Sequence, residues 1–174
     1  QEMSRGLGDV YKRQKNGAEV ANSIKEVVEK SNIIITMLSD DDAVLSVICN
    51  KDFLENIKKK SIVIDMSSTK PITSKKIYEI LKKKEICFLD APVSGGTSGA
   101  KNGSLAIMVG GEKEVFNKAK NILNTMGNPT LVGPIGCGQI AKLANQIIVG
   151  VTIGAVAEAI PVSYTHLTLP TNSG

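Results

Sequence analysis

The run Ile62-Val63-Ile64-Asp65-Met66 has no polar alternation. It leads through Ser67-Ser68-Thr69 to Pro71, and then to a second apolar run, Ile86-Cys87-Phe88-Leu89. A short continuous apolar run is what a strand covered on both faces requires. Pro71 suits the first position of a helix, and Ile72, Ile77, Ile80 and Leu81 then lie near one face of it. The same alternation extends in both directions. Upstream, residues 21–30 read as a helix opened by a capping box of Ser23 and Glu26. Residues 33–38 read as a buried strand, and Asp40, Asp41 and Asp42 favour a helix N-terminus ahead of Val44, Leu45, Val47 and Ile48. A lysine-rich turn then leads to Ile62. Downstream come a strand over 105–109, a helix over 112–126 stopped by Gly127-Asn128-Pro129, and a short strand over 130–132. Repeated strand–helix alternation predicts an α/β fold with a doubly wound, mostly parallel sheet.

Composition bounds the function. The 174 residues are 42% hydrophobic and 22% charged, enough for one domain and part of another. Net charge is only +4, tryptophan is absent and aromatics are 3%, so no nucleic-acid partner is expected. The lysine runs at 58–60 and 82–84 suit solvated helix ends. Cysteines 49, 87 and 137 are too far apart for a zinc knuckle or a redox pair, which points to a reducing cytoplasm. Residues 139–160 read as one long apolar helix. Lys142, Asn145, Gln146 and Glu158 interrupt the uncharged stretch of about 20 residues that a membrane span needs. Gly150, Gly154 and Ala155 suit close packing, so a buried core or interdomain helix is expected and no membrane.

The two ends read differently. Asp9 to Gln14 back-translates as GAT GTG TAT AAG AGA CAG, and the reverse complement of that string encodes Val162-Ser163-Tyr164-Thr165-His166 in another frame. Complementary strands of one sequence at opposite ends mark a translated sequencing adaptor. Residues 1–14 and 161–174 are therefore expected to be adaptor-derived and are set aside. With them go Gly6-Leu7-Gly8, where Tyr11 holds the place of a third fingerprint glycine, and His166, the sole histidine. What remains offers no Ser/His or Cys/His pair, and no metal site is expected.

Loops at the carboxyl ends of strands are where doubly wound sheets bind ligands. Asp90-Ala91-Pro92-Val93-Ser94-Gly95-Gly96 occupies such a place. The Ser94 hydroxyl and the unobstructed amides of Gly95 and Gly96 could cradle a carboxylate or phosphate, although the spacing alone suits a plain glycine-rich turn as well. On the long helix, Asn145 and Gln146 lie about −60° and +40° from Lys142 at about 100° per residue, so the three share one face. A lysine flanked by two amides among apolar neighbours is a candidate acid–base group, and packing accounts for it equally well. Residues 36–39 and 66–69 end the first two strands, at the ligand edge or as helix caps.

These motifs together are specific. Asp90-Ala-Pro-Val-Ser-Gly-Gly96, Gly99-Ala100, Gly103-Ser104-Leu105 and Met108-Val109-Gly110-Gly111 resemble the 3-hydroxyisobutyrate dehydrogenase (β-hydroxyacid dehydrogenase) family. The stretch from Gly136 through Lys142 to Asn145-Gln146 is similar to that family's catalytic-lysine helix, and Thr36-Met37-Leu38 and Ile64 to Ser68 match in order. The resemblance implies an incomplete Rossmann-like sheet. Residues 15–135 would be a partial NAD(P)-binding domain without its first βαβ unit and phosphate loop, and 136–160 the first helix of an all-α domain. It implies a cytoplasmic NAD- or NADP-dependent enzyme, homo-oligomeric in its complete form, acting on a small hydroxy acid; the chain as it stands is expected to be inactive. Lys142 would exchange a proton with the substrate oxygen, and Ser94, Gly95 and Gly96 would hold the carboxylate. Asn145 and Gln146 would orient substrate or lysine, Leu38 and Ser39 would line the cofactor, and Ser68 would lie by the nicotinamide. The family more often has Leu-Pro where this chain has Leu38-Ser39. Lys-Leu-Ala-Asn-Gln resembles the 2-hydroxy-3-oxopropionate (tartronate semialdehyde) reductase branch. The alternatives are 3-hydroxyisobutyrate dehydrogenase or a non-catalytic binding or scaffold member. The His-Asn pair of 6-phosphogluconate dehydrogenases is absent.

Overall fold

A computed structural model describes residues 14–166, so most of the two end segments set aside above lies outside the described residues. In chain order the elements are α1 (Ile24–Lys30), β1 (Ile33–Thr36), α2 (Asp41–Ile48), α3 (Lys51–Asn56), β2 (Ile62–Asp65), α4 (Pro71–Lys82), β3 (Cys87–Asp90), β4 (Val93–Ser94), α5 (Gly96–Asn102), β5 (Leu105–Gly110), α6 (Lys113–Asn124), β6 (Gly127–Gly133) and α7 (Cys137–His166). The sheet runs β1-β2-β3-β5-β4, with β6 paired to β5. Strands β1, β2 and β3 are parallel, and so are β5 and β6. Between these groups β5 meets β3 antiparallel through Asp90 and Gly110, and the short β4 doubles back along β5. The sheet is thus mostly parallel, as the strand–helix alternation predicts.

Helices cover both faces. On β2, Ile62 and Ile64 pack on one side with Val115, Phe116 and Leu123 of α6. Val63 points the other way, toward Ile77 and Leu81 of α4 and Val44 and Ile48 of α2. All four residues of β2 are buried, which is why its sequence lacks alternation.

Local chemistry moves several boundaries. At α1, Ser23 Oγ accepts from the Glu26 N–H at 3.2 Å, while the Glu26 carboxylate accepts from the Asn22 N–H at 2.9 Å, one residue before the cap itself. That bond and Lys30 hold the Glu26 carboxyl below its ordinary value. The expected lysine-rich turn contains α3, capped by Asn50 Oδ1 on the Asp52 N–H at 2.8 Å and fixed by the buried Phe53. Strand β6 starts at Gly127 rather than Thr130, because a Cβ on Gly127 would stand 2.0 Å from the Leu105 carbonyl oxygen. Only glycine lets the two backbones approach so closely there.

The last helix departs most from expectation. It spans 30 residues and continues through Pro161, about 45 Å of helix at 1.5 Å per residue. The sheet it leaves has strands of at most 7 residues, about 23 Å at 3.3 Å per residue. It therefore overruns the sheet. The first turns pack on β3, β5, β6 and α4, but Ile148 and Val151 are 66% and 68% exposed. The expected core burial is confined to those first turns among the described residues. By length and composition 137–164 could cross a membrane.

What fastens α7 to the sheet is Asp90, at the end of β3 and fully buried. Its Oδ1 accepts from the Gly136 N–H at 2.7 Å and its Oδ2 from the Gln139 N–H at 3.0 Å. Burial pushes this carboxyl above its ordinary value, against the pull of the N–H groups of Gly136, Gln139 and Gly138. In Asp90→Ala both donors stay buried without an acceptor, at about 1–3 kcal/mol each. A loss of about 2–5 kcal/mol is expected in urea unfolding of the full-length protein. Gly127→Ala should cost about 2–3 kcal/mol by overpacking. In the 174-residue chain itself, Gly150→Ala, where a Cβ meets open space, should instead add about 0.5–1 kcal/mol of helix stability. Equal midpoints for these two alanine variants would contradict the strand pairing at Gly127.

Candidate functional site

The carboxyl ends of β1, β2 and β3 meet the first turns of α7, and a cleft of about 540 Å³ opens there. Met37, Ser68, Ser94, Gly95, Gly96, Lys142 and Gln146 line it. Lys142 is 9% exposed. Its Nζ donates to Gln146 Oε1 at 3.1 Å, and it makes no ion pair among the described residues. Across the cleft, Asn145 Nδ2 donates to Ser94 Oγ at 3.2 Å.

These two bonds have chemical consequences. A hydroxyl that accepts from an amide keeps its own proton free to donate, so Ser94 can present O–H to an anion. An ammonium with one proton on Gln146 keeps two free to donate. Gly95 and Gly96 follow Ser94 with φ of 131° and 60°, conformations that side chains disfavour. The turn brings their backbone to the same wall.

Behind the cleft lies a buried polar layer. Asp65, at the end of β2, accepts on Oδ1 from Thr36 Oγ1 at 2.9 Å and from the Ser67 N–H at 3.2 Å. Its burial pushes the carboxyl up, while Ser67 and Thr36 pull it down. Ser67 Oγ accepts from the Leu38 N–H at 2.9 Å, which ties the loop after β1 to the loop after β2. Gln139 Oε1 accepts from the Thr69 N–H at 3.0 Å and its Nε2 donates to the Ser67 carbonyl at 2.8 Å.

Lys142, Gln146, Ser94, Gly95, Gly96 and Ser68 come together around one cleft, and Asn145 joins through Ser94. Leu38 and Ser39 do not line it. Leu38 faces a separate cavity of about 350 Å³ beside Ile34 and Val47. Ser39 sits on the exposed turn before α2, where its Oγ donates to Asp40 Oδ2 at 2.7 Å. The Ala43 N–H and Ser39 hold the Asp40 carboxyl low. Met37 lines both cavities, so the segment after β1 borders the cleft as well as the space beside Leu38. Gln139 and Asp65 were not singled out from the sequence. The available signal was one charge inside an apolar strand, and one amide in the first turn of an apolar helix.

The chain matches the model of the NAD binding domain of 6-phosphogluconate dehydrogenase over residues 4–148, beginning within the head segment set aside above. It is 43% identical over 150 residues to the 2-hydroxy-3-oxopropionate reductase of Escherichia coli K12, covering 83% of this chain and 50% of the reductase. It is 38% identical over 148 residues to a probable mitochondrial 3-hydroxyisobutyrate dehydrogenase of Dictyostelium discoideum, covering 84% of this chain and 46% of that protein. A solved Mycobacterium tuberculosis 3-hydroxyisobutyrate dehydrogenase with L-serine superposes with a TM-score of 0.80 at 30% identity, over 87% of this chain and 52% of that one. The chain spans about half the length of the curated relatives it matches. The domain match, the fold and these relatives agree: the chain belongs to the 3-hydroxyisobutyrate dehydrogenase (β-hydroxyacid dehydrogenase) family, built on an NAD(P)-binding Rossmann-like domain.

Proposed function

We propose that the protein transfers a hydride between NAD or NADP and a small 3-hydroxy or 3-oxo acid, with 2-hydroxy-3-oxopropionate as the substrate reduced. The carrying observation is the cleft itself, where Lys142 faces Ser94, Gly95 and Gly96 with Ser68 and Met37 alongside. These residues fit the nicotinamide end of such a cofactor. They lie at the carboxyl edge of a doubly wound sheet, with one apolar and one hydroxyl side chain on the cofactor side. When bound, the nicotinamide supplies or takes the hydride.

The residues divide the remaining work. Ser94 Oγ–H and the amides of Gly95 and Gly96 hold the substrate carboxylate, and Asn145 fixes the hydroxyl so that its proton points to the anion. Lys142 Nζ donates a proton to the substrate oxygen in reduction and removes it in oxidation, with Gln146 Oε1 holding the amine in place. Holding both ends of a three-carbon acid fixes which carbon faces Ser68, an entropic gain that raises rate as well as affinity.

A second reading, oxidation of 3-hydroxyisobutyrate, is supported by relatives as similar as the reductase. Lys142 in place speaks against a non-catalytic scaffold member. The three free cysteines suit a cytoplasmic setting. The exposed apolar length of α7 is read as a face packed within the complete, homo-oligomeric protein rather than in a membrane, since Glu158 interrupts it.

The full-length protein, assayed with both acids and both nicotinamides, should turn over one acid preferentially. Lys142→Ala should lower kcat by about 10²–10⁴ with nicotinamide binding retained. Ser94→Ala should instead raise the KM of the acid about tenfold, the value of one hydrogen bond to a charged group. Turnover that survives Lys142→Ala would remove the proton-transfer role.

A further inference from the structure

We propose that Gln139 is a positioning residue, one that sets the nicotinamide side of the cleft at a fixed distance from Lys142. The inference rests on the hydride-transfer reading above. Gln139 is 1% exposed, and its side chain reaches no substrate wall. Its Oε1 accepts from the Thr69 N–H and its Nε2 donates to the Ser67 carbonyl, at 3.0 and 2.8 Å. The same residue's backbone N–H donates to Asp90 Oδ2 at 3.0 Å. One residue therefore joins the end of β3, the loop after β2 and the first turn of α7.

The pattern of burial shows what this clamp controls. Ser67 and Thr69 are buried at 1% and 6%, while Ser68 between them is exposed and lines the cleft. The two side-chain bonds of Gln139 grip the residues on either side of Ser68, so they set where that residue projects. Lys142 lies three residues further along α7, about 60° around the helix from Gln139. Clamp and proton donor are thus on one rigid element, and the loop is registered to both. Packing alone would be met by leucine. A carboxamide is needed because the loop offers one N–H and one carbonyl together, and both are otherwise buried without partners.

The test uses the full-length protein and compares wild type with Gln139→Leu and Gln139→Glu across pH, with thermal midpoints measured alongside. In Gln139→Leu, kcat should fall about tenfold to a hundredfold, the scale of a misplacement of about 1 Å, and the KM of the nicotinamide should rise. The KM of the acid, held by Ser94, Gly95 and Gly96, should stay within about twofold, because that wall is carried on another loop. Gln139→Glu supplies a rescue. A protonated carboxyl accepts from Thr69 and donates to Ser67 as the amide does, whereas the ionised form turns a second lone pair on the Ser67 carbonyl. The ionisable groups around the clamp are Asp90 on its own N–H, Asp65 on the Ser67 N–H, Asp41 of α2 on the Lys70 N–H, Lys75 of α4 near Gly136, and Lys142 on its own helix. The kcat of Gln139→Glu relative to wild type should therefore be near unity at the acid end and fall toward that of Gln139→Leu as pH rises. If Gln139→Leu does not fold, Gln139→Met, of similar length and without either bond, takes its place.

A Gln139→Leu or Gln139→Met variant that loses thermal stability yet keeps wild-type kcat and nicotinamide KM overturns the positioning role and leaves the hydride-transfer reading intact. A wild-type protein inactive with both nicotinamides on both acids overturns that reading and, with it, this inference.

Discussion

Two backbone N–H groups at the start of α7, those of Gly136 and Gln139, are buried against the sheet and find their acceptors in a single carboxylate, Asp90. Most of the site follows from this contact. It fixes the first turn of the helix at the end of β3, and helical periodicity then places Lys142 and Gln146 over the cleft and Asn145 within reach of Ser94. The carboxyl is costly to bury, as its raised proton affinity indicates. The cost is offset because a helix start otherwise leaves unpaired donors in an apolar setting. The same residue begins the loop that carries Ser94, Gly95 and Gly96. One side chain thus governs the separation of the Ser94-Gly95-Gly96 turn from Lys142.

The cleft then divides into two walls with different supports. Asn145 and Gln146 are neighbours on the helix, yet one holds the Ser94 hydroxyl and the other the Lys142 amine. Each engages one hydrogen-bonding position and leaves other protons free to donate. The opposite wall, with Met37 and Ser68, rests on the polar layer of Asp65, Ser67 and Gln139. In the proposed reaction the first wall handles the acid and the second the nicotinamide. Hydride transfer demands that they keep their distance within a fraction of an ångström.

The site residues were legible in unequal degree. Ser94, Gly95, Gly96, Lys142, Asn145 and Gln146 stand in motifs whose residue types announce chemistry. Leu38 belongs to a motif at the end of β1, beside a second cavity that Met37 shares with the cleft, and Ser39 lies on the exposed turn that follows. Gln139 and Asp65 carry no local signature. A buried amide and a buried carboxylate look like any others until their partners, 70 and 29 residues away, are known. Helices α3 and α5 escaped because six or seven residues, in α5 with two glycines among them, show too little periodicity to register.

From sequence alone came the succession of strands and helices, the doubly wound sheet, the family resemblance and the two motifs that face each other. Those features rest on local periodicity and on residue types at fixed spacing, which a single chain records in order. The tertiary structure decided the antiparallel return of β4 and β5, and which strand-end residues face the cleft. It also placed burial only in the first turns of α7, and made Asp90 and Gln139 the links between elements. Those depend on hydrogen bonds between residues far apart in the chain and on where the sheet ends beneath a longer helix, and neither leaves a periodic trace.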